Sequence, residues 1–230
     1  YDNKDVLGLI TLRLPKTIAV GVQALVWGVV LGIIFGAIAA LKQGEITDNL
    51  VILFVILGVS IPSFVLGSLI QLYFGLKLEL FPMVFEHSKY WASTILPAVS
   101  LTLYVISSVA RFMRTELVEV LNSEYILLAR AKGLKKSTVI TRHALRNALI
   151  PVITVVGPMT VYLLTGSVVA EKIFGVPGVG LLLIEAVNMN DYFLILGIAT
   201  FYSTLYISVV FIVDLLYTVI DPRVRLQGGK

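Results

Sequence analysis

The chain has 230 residues, 58% of them hydrophobic and 14% charged, with a mean hydropathy of +0.95. A soluble domain is about one-quarter charged and could not hide this much apolar surface from water, so a soluble globule and a disordered chain are both excluded. The chain has no Cys, which removes thiol nucleophiles, disulfide scaffolds and Cys-based metal sites, and its net charge of +4 lacks the basic-aromatic interleaving of a nucleic-acid surface.

Uncharged stretches run over 17–41, 49–76, 90–110, 147–170 and 192–213. Each is long enough to cross the roughly 30 Å hydrocarbon core as a helix. None alternates as barrel strands do, and helices satisfy their own backbone groups in lipid. The expected fold is therefore all-α: a polytopic transmembrane bundle of five spanning helices, read as a single domain over 1–230. The first stretch places Ala24, Gly28, Gly32, Gly36 and Ala40 four apart, a stripe along which a second helix can approach closely. Pro62, Pro97 and Pro158 sit in or near later stretches, where they remove backbone donors and favour kinks. The shorter stretch 173–184 holds Gly175, Pro177, Gly178 and Gly180 and reads as a loop that partly re-enters or caps the outer face. Asp214, near the end of the fifth stretch, is the one acid that reads as deep in a hydrophobic run. An interfacial pairing role and a functional role fit it equally.

Orientation follows from the basic residues. The segment between the third and fourth spans carries Arg111, Arg114, Arg130, Lys132, Lys135, Lys136, Arg142 and Arg146, and the tail adds Arg223, Arg225 and Lys230. The positive-inside rule makes that loop and the C-terminus cytoplasmic. An external N-terminus that starts at Tyr1 with no signal sequence implies a preceding segment. His87 and His143 have no partner at metal-ligand spacing, and the run from Gly133 to Thr138 lacks the glycine spacing and preceding strand of a phosphate loop.

The cytoplasmic loop 115–148 is the most patterned part of the chain. Ser123 is placed to cap a short amphipathic helix carrying Tyr125, Ile126, Leu128 and Ala129. Gly133 suits its terminus, and Ser137 a second cap. The second helix sets Arg142 and Arg146 four apart. The result is a helix–glycine–helix elbow.

The strings Ala129-Arg130-Ala131-Lys132-Gly133-Leu134 and His143-Ala144-Leu145-Arg146-Asn147-Ala148-Leu149-Ile150-Pro151 resemble the coupling loop of ABC-importer permeases, most of all the oligopeptide and dipeptide group. The resemblance spans nearly the whole chain. It includes Ser60-Ile61-Pro62-Ser63-Phe64, Ile95-Leu96-Pro97-Ala98, Arg111-Phe112-Met113-Arg114, the run Ile173 to Gly180 and Asp221-Pro222-Arg223-Val224-Arg225. The general importer motif departs here: Leu127-Leu128-Ala129 stand for its Glu-Ala-Ala, His143 for its Ile and Arg146 for its Pro, while Gly133 and Leu145 match.

The resemblance implies a permease subunit of an ATP-driven peptide importer in a bacterial or archaeal plasma (inner) membrane. It implies a second homologous permease, two cytoplasmic ATPases and an extracellular or periplasmic peptide-binding protein as partners, besides membrane lipid and no nucleic acid. It implies no cofactor on this chain, with ATP and Mg on the ATPases, and no catalytic or metal residues here. Tyr125, Ala129, Arg130, Lys132, Gly133, Arg142, His143 and Arg146 are the expected ATPase-coupling residues. Ser60, Ser63, Gln71 and Ser107 are the candidates for lining the pathway. Relatives that carry nickel or other small solutes, and a channel or secondary transporter, are the alternatives.

Overall fold

The computed structural model describes residues 5–166 and 168–220, the side chains of 165, 166, 214 and 216–220 excepted. Among the described residues the regular structure is helical: α1 (Val6–Leu41), α2 (Ile46–Ser60), α3 (Ser63–Ile70), α4 (Tyr90–Leu121), α5 (Glu124–Ala131), α6 (Lys136–Thr138), α7 (Leu145–Gly166), α8 (Val168–Phe174), α9 (Val179–Asn188) and α10 (Tyr192–Ile220). A π-helical turn, Gln71–Lys77, continues α3, and a second, Val139–Ala144, joins α6 to α7 without a break. Four helical stretches are long and apolar enough to cross a membrane, and the bent α2–α3 pair makes a fifth if it is counted as one span.

The first span starts earlier than the charges allow. Asp5 accepts hydrogen bonds from the Leu7 and Gly8 amides and caps α1 at Val6, well ahead of position 17. Arg13 is accommodated by Glu185 of α9 at 3.0 Å, and Lys16 turns its Nζ back onto the Leu12 carbonyl. The stretch 49–76 is not one straight span. Pro62 pushes Ile61 into an extended conformation (φ −81°, ψ 117°), α2 ends at Ser60, and the chain leaves at 96° into α3. The third span runs past 110 to Leu121, because the charges on its last turns lie beyond the apolar part without interrupting the helix. The fourth is helical on both described sides of residue 167, as α7 to Gly166 and as α8 from Val168, and α8 carries on past 170 to Phe174. The stretch 173–184 is not all loop. Gly175 turns the chain at φ +62°, and α9 starts at Val179.

α4 is the most enclosed of the spans and α10 the least. The small-residue stripe of α1 explains the closest packing. Ala24, Gly28, Gly32, Gly36 and Ala40 are all buried. A Cβ on Gly28 would run into Val105 of α4, one on Gly32 would stand 2.7 Å from the Val109 Cβ, and one on Gly36 would stand 2.7 Å from the Met113 Cβ. Without hydrophobic drive between helices in lipid, such backbone approach supplies the dispersion contacts that hold them together. Gly32→Ala is expected to destabilise the chain by about 1–3 kcal/mol through overpacking. Val26→Ala, on the half-exposed face of the same helix, should stay within about 0.5 kcal/mol. Thermal unfolding in detergent compares the two, and equal shifts would remove the close-approach argument.

Candidate coupling site

The elbow is built from two apolar surfaces and one glycine. Ile126 and Ala129 of α5 are buried, as are Val139, Ala144 and Ala148 on the helix that follows, so the two arms close on each other and on the end of α4. α5 terminates in a Schellman arrangement: the Gly133 amide donates to the Arg130 carbonyl at 3.0 Å and the Leu134 amide to the Ala129 carbonyl at 3.4 Å. Gly133 holds φ +76° with nothing within 4 Å of where a Cβ would sit. The constraint there is conformational, with no steric part. Ser123 occupies the N-cap position of α5, but its hydroxyl donates to the Val120 carbonyl at 2.6 Å and makes no cap bond. Ser137 is not a cap at all: Lys135 takes that position, and Ser137 lies inside α6.

The expected coupling residues fall on both arms. Tyr125 is exposed on α5, and its Oη accepts from Asn147 Nδ2 at 2.9 Å, tying α5 to the start of α7. Ala129 faces the interior, and His143 is half-buried in the π-helical turn. Arg130, Lys132, Gly133, Arg142 and Arg146 are exposed. Among the described residues none of the four cations, nor the exposed Lys135 and Lys136, makes an ion pair. Leu127 (69% exposed), Leu128 and Leu134 stand out of the same surface. Sequence reasoning did not single out Leu127 and Leu134. The signal for Leu127 was an apolar residue outside the buried stripe of a short amphipathic helix. A cavity of about 430 Å³ beside the elbow joins Leu41 of α1 and Leu121 of α4 to Arg130, Leu134 and Lys136.

From Lys136 the helix runs unbroken through the π-helical turn to the end of α7. The second arm of the elbow and α7 are thus one continuous helix. Pro151 and Pro158 lie within that helix, each removing one backbone donor where it can bend.

Besides the Arg13–Glu185 pair, two charged contacts escaped sequence reasoning. Asp48 of α2, 2% exposed, receives both Nε (2.6 Å) and Nη2 (2.8 Å) of Arg114 on α4, with the Gly44 amide on Oδ2. Glu171 of α8 is wholly buried, accepts from Thr17 Oγ1 at 2.7 Å and from the Leu181 amide at 2.9 Å. The side chain of Asp214 lies outside the described residues, as do Arg223, Arg225 and Lys230.

The four pathway candidates do not share one surface role. Gln71 is a staple: its Nε2 donates to the carbonyls of Met83 and Ile173, both at 2.9 Å. Ser107 is buried in α4 under Gly58, its Oγ without a hydrogen-bond partner among the described residues. Ser60 is exposed, with its hydroxyl on the Ile56 carbonyl, and Ser63 is half-buried just past the bend. His87 packs edge-on to Phe85 at 5.2 Å, and no cluster of three metal-binding side chains occurs among the described residues.

The family profile described as binding-protein-dependent transport system inner membrane component matches residues 32–226. The dipeptide transport system permease protein DppB of Lactococcus lactis subsp. cremoris is 42% identical over 226 residues, which cover 98% of this chain and 74% of that protein. The oligopeptide transport system permease protein OppB of Haemophilus influenzae is 41% identical over 225 residues, with 98% and 74% covered. Among solved structures, the inward-facing MetNI methionine ABC transporter superposes with a TM-score of 0.76 at 17% identity, over 94% of this chain and 97% of that one. An amino acid ABC transporter crystallised with histidines gives 0.71 at 16%, over 94% and 98%. At that identity the two structures speak for the fold.

Proposed function

The chain belongs to the family of inner membrane components of binding-protein-dependent transport systems, and from that premise we propose that it is a permease subunit of an ATP-driven peptide importer. It forms one side of the translocation pathway. A second, homologous permease completes the pathway, two cytoplasmic ATPases drive it, and an external binding protein delivers peptide. ATP and Mg bind to the ATPases, and hydrolysis is theirs. The elbow end of the bundle faces the cytoplasm, and so does the C-terminus. The peptide class is supported by relatives named as dipeptide and oligopeptide permeases at about 40% identity over nearly the whole chain.

The observation that carries the coupling reading is the surface of the elbow. Exposed cations without carboxylate partners stand beside exposed leucines on a preformed turn. That is the composition of an interface waiting for an acidic, apolar-lined partner surface. The ATPase groove supplies it: Leu127, Leu128 and Leu134 insert, and Arg130, Lys132, Arg142 and Arg146 steer and fix the register. When the ATPases close on ATP, the elbow moves with them and the continuous helix behind it tilts α7 against α4, exchanging inward-open and outward-open states.

Gly133 separates this reading from plain packing. A side chain there meets no neighbour, so a substitution acts through the left-handed backbone alone. Gly133→Asn, which tolerates αL, should keep ATPase association and uptake near wild type. Gly133→Val should cost about 1–2 kcal/mol locally and lose both together. The measurement is co-purification of the ATPases in mild detergent with peptide uptake by the same complex. Full uptake by the valine variant would remove Gly133 from the coupling role. Recovery of this chain without any ATPase would overturn the importer reading itself.

A further inference from the structure

The outer face of α10 is what lipid demands: Phe193, Leu196, Ile207 and Phe211 are all more than half exposed, an apolar surface without charge. The groove between α4 and α7 is different. A cavity of about 470 Å³ is lined there by Tyr104, Ser108 and Arg111 from α4 and by Thr154, Pro158 and Tyr162 from α7. The rings of the two tyrosines meet at 5.3 Å across the groove. Arg111 is exposed, and its guanidinium makes no hydrogen bond or ion pair among the described residues. Its neighbour Arg114, three residues on, is fully committed to Asp48. Arg111 stands where the apolar part of α4 ends, and its side chain lines a cavity furnished with hydroxyl groups.

We infer that this groove is an anion subsite of the translocation pathway, in which Arg111 takes the C-terminal carboxylate of a passing peptide while Tyr104 and Tyr162 pack against its backbone and side chains. The inference rests on the peptide-importer reading. A guanidinium fork matches a carboxylate in two parallel hydrogen bonds, and the C-terminal carboxylate is the anion that every unmodified peptide carries whatever its sequence. An open groove keeps the pair hydrated, so it holds the peptide loosely enough to release it. The groove is also linked to the elbow. Thr154, Pro158 and Tyr162 ride on the helix that continues from it, so an elbow displacement changes the spacing of α7 from Arg111.

The test uses the intact transporter with its partner subunits and binding protein in proteoliposomes. Uptake of trialanine is compared with uptake of trialanine amide, for wild type, Arg111→Gln and Arg111→Lys. The binding protein is common to all three, so the ratio between variants isolates the permease. Arg111→Gln is expected to lower trialanine uptake about three- to fivefold and amide uptake less than about 1.5-fold, with Arg111→Lys in between for trialanine. If the glutamine variant does not assemble, the lysine variant decides by the same ratio. If the amide is not delivered, photocrosslinking of trialanine to benzoylphenylalanine placed at position 162 decides, with labelling expected to fall about fivefold in Arg111→Gln. An equal loss for both peptides, no loss, or unchanged crosslinking overturns the subsite and leaves the importer reading standing. In those cases Arg111 serves an anionic lipid headgroup or a carboxylate of the adjoining permease. Failure of the wild type to take up either peptide overturns the importer reading, and this inference with it.

Discussion

Arg114→Ala is expected to destabilise the folded chain by about 3 kcal/mol, and a second substitution, Asp48→Asn, is expected to recover most of that loss. The geometry is a bidentate pair, with Nε on Oδ1 and Nη2 on Oδ2, around a carboxylate that is 2% exposed. Removing the cation leaves Asp48 buried and uncompensated, which costs about 3–5 kcal/mol at fully enclosed sites. The lower end applies because the Arg114 side chain retains 27% exposure, through which water compensates in part. The Gly44 amide also donates to Oδ2, so the pair fixes the α1–α2 turn, where Gly44 itself holds φ +81°. Neutral asparagine keeps an acceptor for that amide and leaves no buried charge, so the double variant should be the more stable of the two arginine-less chains. Thermal midpoints in detergent for wild type, both single variants and the double variant form the necessary cycle. Equal midpoints for Arg114→Ala and the double variant would mean that the pair contributes no buried-charge energy.

The contrast between this pair and the α1 stripe shows what sequence reasoning can reach. Gly28, Gly32 and Gly36 repeat at the helical period, so their shared face is a local property of α1, and the fact that they pack is legible without knowing against what. Gly133 is legible for the same reason: the amphipathic pattern of α5 ends there, and a helix end needs αL. Asp48 and Arg114 are 66 positions apart, and nothing in either neighbourhood marks the other. Each reads as an ordinary interfacial charge. The pathway serines fail differently. Ser107 shares α4 with Ser93, Thr94, Ser100, Thr102 and Ser108, all buried, so its hydroxyl reads equally as lining or as interior, and only the cover of Gly58 from α2 decides between them. The bend at Pro62 lay between the two cases. Proline announces a missing donor, but whether the helix merely kinks or turns through 96° depends on what packs against both halves. Sequence reasoning about span boundaries used charge as a terminator, and α1 and α4 show why that misplaces ends: a helix continues past a charged residue whenever capping or a partner satisfies it.

Glu171→Ala is expected to cost about 2–5 kcal/mol and to loosen the α8–α9 hairpin from α1. The carboxylate is completely buried, and it serves as a cap supplied from outside the helix it caps. α9 begins after Gly178, which has no side chain to satisfy the first amides. Thr17 Oγ1 accepts from the Val179 amide at 2.9 Å, Glu171 Oε2 accepts from the Leu181 amide at 2.9 Å, and Oε1 accepts the Thr17 hydroxyl at 2.7 Å. A negative group at a helix N-terminus is favoured by the amide dipoles as well. The glycines of the turn follow from this arrangement: a Cβ on Gly178 would run into the carboxylate, and one on Gly180 would stand 2.7 Å from the Val168 Cα. Truncation to alanine strands the Leu181 amide and the Thr17 hydroxyl, each at about 1–3 kcal/mol in a dry site. Glu171→Gln retains one acceptor for Leu181 but offers Thr17 a donor where it needs an acceptor, so its cost should be about half as large. Thr17→Val breaks the same network from α1, and its effect should fall far short of additive with Glu171→Ala, because either change already breaks the link between the two helices. Hydrogen exchange at Val179 and Leu181 reads the cap directly, and unchanged protection there in Glu171→Ala would show that α9 holds its N-terminus without the carboxylate.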